Sequence, residues 1–280
     1  MSLSHRLARL SLVAALLLSG CMARQMPSAA AAAPTAAALP SDTLAAVRAR
    51  GTLRVGLALF VPWSTHDRNG HLIGFDIDVA RRLAADLGVQ PVFVLTSWSD
   101  LVGDLERGRY DIIVSGLAIT PERALAVSFS APYNAADVML VVNQRAAGRR
   151  RGRSAFDDAA VRLGVRGGTI AESLAAQRFP RAALVRFDSD DVALAALLAG
   201  TITGLVADSP LPEFAFAMHR DALALPGPPL ARLDEGFAVR HDNADFVGFL
   251  NAWIRYNTGT GWLRERRAYW FDLQRWSDQL

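Results

Sequence analysis

The sequence predicts an α/β fold of two lobes, each a mostly parallel sheet flanked by helices, with a ligand cleft between them. Three observations carry this. Strand-type and helix-type patterns alternate from residue 52 onward. A polar, arginine-rich break at Gln144 to Ser154 interrupts the alternation, which then restarts, and a Pro/Gly-rich turn at Pro226 to Pro229 precedes a third block. Such alternation specifies a parallel sheet covered by helices.

In chain order, Thr52 to Leu59 alternates and is β-rich. Phe75 to Leu87 sets Phe75, Val79, Leu83 and Leu87 on one helical stripe, and Pro91 to Thr96 is again a strand, completing a β-α-β unit. Helix is expected over Asp100 to Arg107, buried strand over Tyr110 to Ser115, short helix over Pro121 to Val127 and strand over Val138 to Val142. After the break come strand Val161 to Val165, helix Ile170 to Arg178, strand Ala183 to Phe187, helix Asp191 to Leu198 and strand Thr203 to Ala207. The last block opens with strand Gly236 to Arg240 and continues in helices rich in large apolar residues, best placed back on the first lobe. Residues 41–143 and 231–280 thus form lobe 1, and 144–230 form lobe 2.

The N-terminus carries a different signal. Basic His5, Arg6 and Arg9 precede an apolar run from Leu10 to Leu18 that is too short for a permanent transmembrane helix. Residues 1–20 read as a signal peptide. The run Leu18-Ser19-Gly20-Cys21 resembles a bacterial lipobox, which implies acylation of Cys21 and a lipid anchor; an ordinary secretory signal with an incidental thiol is the other reading. Cys21 is the only cysteine, so no intramolecular disulfide is possible. Residues 21–40 are dominated by Ala, Pro and Ser and read as a tether.

Composition excludes several functions. Net charge is +3, with arginines dispersed among carboxylates. The cluster Arg149, Arg150, Arg151 and Arg153 has no interleaved aromatics, so no nucleic-acid partner is expected. The histidines at 5, 66, 71, 219 and 241 lack paired metal-ligand spacing, and no glycine-framed serine elbow occurs. No metal or cofactor is expected.

In open α/β sheets ligands sit beyond the carboxyl ends of strands, which directs attention to five corners. These are Phe60 to Trp63, Ser97 and Trp98, Ser115 to Arg123, Gly167 to Glu172, and Asp208 to Pro210. The third turns on Gly116 and opens a helix with Thr120 at the N-cap and Pro121 at the first helical position. Arg123, in the first turn, could hold a carboxylate through two parallel hydrogen bonds, or could be a surface arginine.

The run Ile119-Thr120-Pro121-Glu122-Arg123, followed by Phe129-Ser130-Ala131-Pro132-Tyr133, resembles a signature of periplasmic polar-amino-acid-binding proteins of ABC transporters. Gly51 to Gly56, Gly74 to Ala80, Tyr110 to Ile113, and Gly259 to Trp262 leading to Tyr269-Trp270-Phe271 agree in order, so the resemblance spans residues 43 to 272. It implies the type II periplasmic binding protein fold, usually monomeric, that captures a small zwitterion and presents it to a membrane permease. Arg123, with the Ser115, Gly116 and Thr120 corner, would grip the α-carboxylate. Asp208 would accept the α-ammonium, or serve only as a helix N-cap. Thr169 would reach the carboxylate, or only cap its helix. Phe60, Trp63 and Trp98 would cover the ligand side chain, Trp63 foremost, or belong to the core.

A rival shares the scaffold. Cyclohexadienyl dehydratases resemble these binding proteins, and Glu172 sits where they keep a catalytic general acid, a role that needs a raised pKa. The segment Asn134 to Met139 lacks the Gly-Lys-Thr-Pro pattern associated with those enzymes, which favours a protein without catalysis. An accessory or sensor subunit is a third reading.

Overall fold

The computed structural model describes residues 42–241, 243–272, 276 and 278; the signal segment, Cys21 and the whole tether lie outside the described residues. Helix α1 (Thr43–Arg50) starts where the Asp42 carboxylate accepts the Ala45 N–H at 2.8 Å and stops at left-handed Gly51. Strand β1 (Thr52–Leu57), the small hairpin β2 (Thr65–His66) and β3 (Leu72–Ile73), helix α2 (Phe75–Leu87) and strand β4 (Gln90–Leu95) follow. Next come α3 (Leu101–Glu106), β5 (Ile112–Ile113), α4 (Pro121–Ala124) and the long strand β6 (Ser128–Asn143).

The second lobe contains α5 (Gln144–Ala147), β7 (Arg162–Arg166), α6 (Ile170–Arg178), β8 (Ala183–Phe187), α7 (Asp190–Leu198), β9 (Gly204–Asp208), α8 (Leu211–Met218) and β10 (Leu223–Ala224). Strand β11 (Ala231–Val239) returns to the first lobe, followed by α9 (Ala244–Gly259), α10 (Trp262–Arg267) and a π-helical turn at Ala268–Asp272.

The sheet order is β4-β1-β5-β11-β6-β9-β7-β8, with β10 also on β6. Strands β4, β1 and β5 are mutually parallel, as are β9, β7 and β8. The antiparallel pair β6 and β11 joins these two trios. Strand β6 pairs with β11 from Ser128 to Val138 and with β9 from Val138 to Val142, so one strand starts in lobe 1 and ends in lobe 2.

Each lobe packs apolar side chains on both sheet faces. In lobe 1 one face gathers Val55, Phe75, Leu83, Phe237, Phe246, Trp253 and Trp270, and the other Leu101, Tyr110, Ile113 and Val127. In lobe 2 the corresponding layers hold Leu163, Val165 and Phe179, and Leu197, Ile202 and Leu205. Each large side chain so buried contributes about 1.5–3 kcal/mol, whereas an exposed ion pair adds about 0–1 kcal/mol. Packing, rather than surface charge, therefore holds the frame that positions the cleft.

Departures from the expected elements have local causes. Helix α1 lacks a strong apolar stripe, so its capping residues are its main signal. Helix α4 ends at Ala124 instead of Val127, because the chain turns at exposed Leu125 to bury Val127. Strand β6 begins ten residues before Val138 because its first part is paired by β11, a partner distant in sequence. Strand β11 starts at Ala231 instead of Gly236 and so carries Asp234 and Glu235 within the sheet. Helix α8 follows the Asp208 corner, but its N-cap is Pro210, so Asp208 ends β9 and is not the helix cap of its alternative reading.

Candidate functional site

The carboxyl ends of both parallel trios meet across a cleft. Arg123 comes from lobe 1, held by the N-cap at Thr120, whose hydroxyl accepts the Arg123 N–H at 3.2 Å. Its Nη1 donates to Ala118 O at 2.9 Å, and the guanidinium carbon lies 6.0 Å from the Trp98 ring. Burial lowers its proton affinity, while Asp208 and Glu122 act in the opposite direction. Opposite it, Asp208 ends β9 in lobe 2. Arg123, Asp208, Trp98, Gly116 and Glu235 line one small space of about 10 Å³.

Asp208 and Trp98 also line an adjoining space of about 10 Å³ with Phe60, Arg166, Thr169 and Asp190. Each space is close to water-sized, against about 300 to 1,000 Å³ for small-molecule sites, so an amino acid fits here only when the lobes part. Burial raises the Asp208 carboxyl to about 7; Asp190 adds to the rise, and Arg123 and Arg166 only partly oppose it.

The remaining expected site residues divide into those that line the cleft and those beneath it. Thr169 lines it, although its hydroxyl is engaged: it donates to Arg166 O at 2.7 Å and accepts the Glu172 N–H at 3.3 Å. Ser115 lies buried below the corner, where its Oγ accepts the Ala58 N–H at 3.0 Å. Gly116 borders the cavity, but its N–H already donates to Tyr133 Oη at 3.1 Å. Thr120 acts as the cap of α4, a helix of one turn. The corner is thus a scaffold for Arg123 more than a set of free anion-binding N–H groups.

The aromatic expectation needs correction in its order. Trp63, favoured for ligand contact, is fully buried; its ring stacks under Phe60 at 4.3 Å and its indole N–H donates to Glu235 Oε2 at 3.0 Å. Gly116 allows this: at φ +56, a Cβ there would lie 2.6 Å from the indole nitrogen. Phe60 and Trp98 are the rings that face the cleft, 6.0 Å apart and edge to face.

Glu172 is outside both lined spaces. Its carboxylate accepts the Gly168 N–H at 2.9 Å and a hydrogen bond from Arg186, while its own N–H is capped by Thr169. Burial pulls its pKa upward, but these hydrogen bonds and the Arg186 charge outweigh burial and leave it below the ordinary value. The raised pKa that acid catalysis would need is absent at this residue.

Arg166, Asp190, Glu235 and Asn134 were missed by sequence reasoning. Arg166 ends β7 directly before Gly167 and Gly168, a charge at a strand's carboxyl end that could have been noted. Glu235 had no usable signal, since the strand was expected to begin after it. In the structure its buried carboxyl is pushed to about 7 by burial, with Trp63 and Asn134 donating to it and Asp208 adding to the rise.

Two α/β lobes joined by crossing strands, with ionisable side chains of both lobes converging in the intervening cleft, define a two-lobed solute receptor. The chain belongs to the bacterial extracellular solute-binding proteins, family 3, whose model matches residues 53–273. Relatives include the L-cystine-binding protein TcyJ of Escherichia coli, 28% identical over 226 residues, covering 80% of this chain and 84% of that protein. The cyclohexadienyl dehydratase of Pseudomonas aeruginosa is 27% identical over 228 residues, covering 81% and 84%. Among solved structures, an ancestral amino-acid-binding protein described as a precursor of cyclohexadienyl dehydratase matches with a TM-score of 0.76 and 31% identity, covering 82% of this chain and all of that one.

Proposed function

We propose that this protein captures a small zwitterion, an amino acid, between Arg123 and Asp208 and delivers it to an ABC permease without chemical conversion. The observation that carries the reading is that a guanidinium of one lobe and a carboxyl of the other line one compact space. The α-carboxylate would pair with the free edge of the Arg123 fork, and the α-ammonium would supply the counter-charge that lets buried Asp208 ionise. Thr169 would close the second wall, with Phe60 and Trp98 covering the side chain. The cystine-binding and ancestral amino-acid-binding relatives support the ligand class.

The dehydratase relative supports an alternative only through its general likeness. Glu172, bound to the α6 cap and to Arg186, argues against acid catalysis there. Acylated Cys21 would hold the receptor, as a monomer, at the outer side of the cytoplasmic membrane or beyond; a Cys21→Ser chain released from the membrane fraction would support this anchor.

Calorimetric titration of the full chain, stripped of bound ligand by unfolding and refolding, tests the reading. Micromolar capture corresponds to about 8 kcal/mol. Loss of the two charge-assisted hydrogen bonds in Arg123→Ala should weaken binding roughly 100-fold or more while the fold persists. Retained affinity in a folded variant would sink the assignment, and release of product from prephenate or arogenate would make the protein an enzyme.

A further inference from the structure

Arg166 occupies an unusual place in this cleft. It ends β7 in lobe 2, yet its guanidinium carbon lies 5.4 Å from the Phe60 ring and 5.4 Å from the Trp98 ring, both in lobe 1. Its Nη1 donates to Asp190 Oδ2 at 3.3 Å, and both side chains are largely buried, at 13% and 17% exposure. Arg166 lines the inner space and also the two wider openings on either side of it. It is the wall between the ligand's compartment and solvent.

Two aromatic faces and a carboxylate form a box suited to a cation. Here the protein fills that box with its own guanidinium. A ligand side chain ending in ammonium or guanidinium would have to expel Arg166 from Asp190 and both rings, or lie against a like charge in a poorly hydrated space. An acceptor meets the opposite situation. A guanidinium carries five N–H donors in a planar fork, and one hydrogen bond, to Asp190, engages the Arg166 fork among the described residues.

The direction of the ligand follows from its anchors. With the α-carboxylate at Arg123 and the α-ammonium at Asp208, the side chain points along the wall those two residues leave open, formed by Phe60, Trp98, Thr169 and Arg166. Among the described residues the one carboxylate partner of Arg166 there is Asp190, and its remaining donors face the space. We infer that Arg166 sets the ligand class: the site takes an α-amino acid whose side chain ends in an acceptor oxygen, carboxylate above carboxamide, and refuses lysine and arginine. This rests on the receptor reading above.

The test is calorimetric titration of the full, ligand-stripped chain with L-aspartate, L-glutamate, L-asparagine, L-glutamine, L-lysine and L-arginine. Wild type, Arg166→Ala, Arg166→Lys and Arg123→Ala are compared, with thermal melting as a check of folding. An acidic amino acid should bind wild type at least about tenfold more tightly than lysine or arginine. Folded Arg166→Ala should lose that preference, and Arg166→Lys, which keeps the charge without the fork, should keep part of it. Tighter binding of lysine or arginine to wild type, lost in Arg123→Ala, would overturn the Arg166 assignment and leave the receptor standing. So would acidic-ligand affinity unchanged in folded Arg166→Ala. Silence from all six would overturn the Arg166 assignment alone; the receptor reading falls only if the remaining amino acids, cystine included, are silent as well.

Discussion

The indole N–H of Trp63 donates to the Glu235 carboxyl at 3.0 Å, joining residues 172 positions apart. The bond ties the first corner of lobe 1 to the crossing strand β11, and Phe60, stacked on Trp63, inherits its position from it. Trp63→Phe keeps an aromatic ring but leaves Glu235 with Asn134 as its remaining side-chain donor among the described residues. A buried acceptor deprived of one partner costs about 1–3 kcal/mol. Urea unfolding should show that loss with an unchanged m-value; an unaltered midpoint would show that the bond adds nothing to stability.

Glu235 also makes stability depend on pH. Its folded-state pKa of about 7 lies above the ordinary glutamate value, with burial the chief cause. The folded protein therefore binds a proton that the unfolded chain releases, and the contribution of this group is fully present below the unfolded pKa. It declines as pH rises toward 7 and is lost above. Asp208, raised for the same main reason, acts in the same sense. Urea titrations at pH 5 and pH 8 should find the wild type less stable at the higher pH, with a smaller difference in Glu235→Gln. An equal difference in both proteins would remove Glu235 from the account.

How much of this was legible depended on whether the cause was local. Helix α6 and strands β7 and β8 follow from short-range patterns, and Thr169 caps α6 by accepting the Glu172 N–H, as its place before the helix suggests. The first part of β6 and the start of β11 are strands because of each other, a pairing that neither stretch announces. The site divides the same way. Arg123 and Asp208 could be placed at strand-to-helix corners from sequence, whereas the exchange of roles between Trp63 and Phe60 arises from packing against Gly116 and Glu235. Arg166 escaped because its partners Phe60 and Trp98 belong to the other lobe.

Gly116 is the backbone counterpart of that packing. Its φ of +56, and the 2.6 Å that would separate an alanine Cβ at this position from the Trp63 indole nitrogen, leave no room for a side chain. The strained backbone alone costs about 1–3 kcal/mol, and relieving the clash would shift Trp63 away from Glu235. Gly116→Ala should therefore lower the melting temperature and change the tryptophan fluorescence of the folded state. Wild-type melting and spectra would show that the corner relaxes freely.

Asp208 predicts that ligand capture and proton release are one event. In the free protein its carboxyl has a pKa of about 7, because burial and Asp190 outweigh the pull of Arg123 and Arg166. A ligand ammonium placed against it favours the ionised form, so binding depresses that pKa and expels the proton wherever the free site still holds one. Affinity should accordingly rise with pH from about 5 to 7 and level off above, where Asp208 is already ionised. Calorimetry at pH 6 in buffers of different ionisation enthalpy should report net proton release, falling toward zero at pH 8. Asp208→Asn, which keeps the shape but holds no titrating proton, should bind more weakly and lose the buffer dependence. If release persists in that variant, the proton comes from another group, the candidates being Glu235 and Asp190, raised carboxyls that each line a space with Asp208.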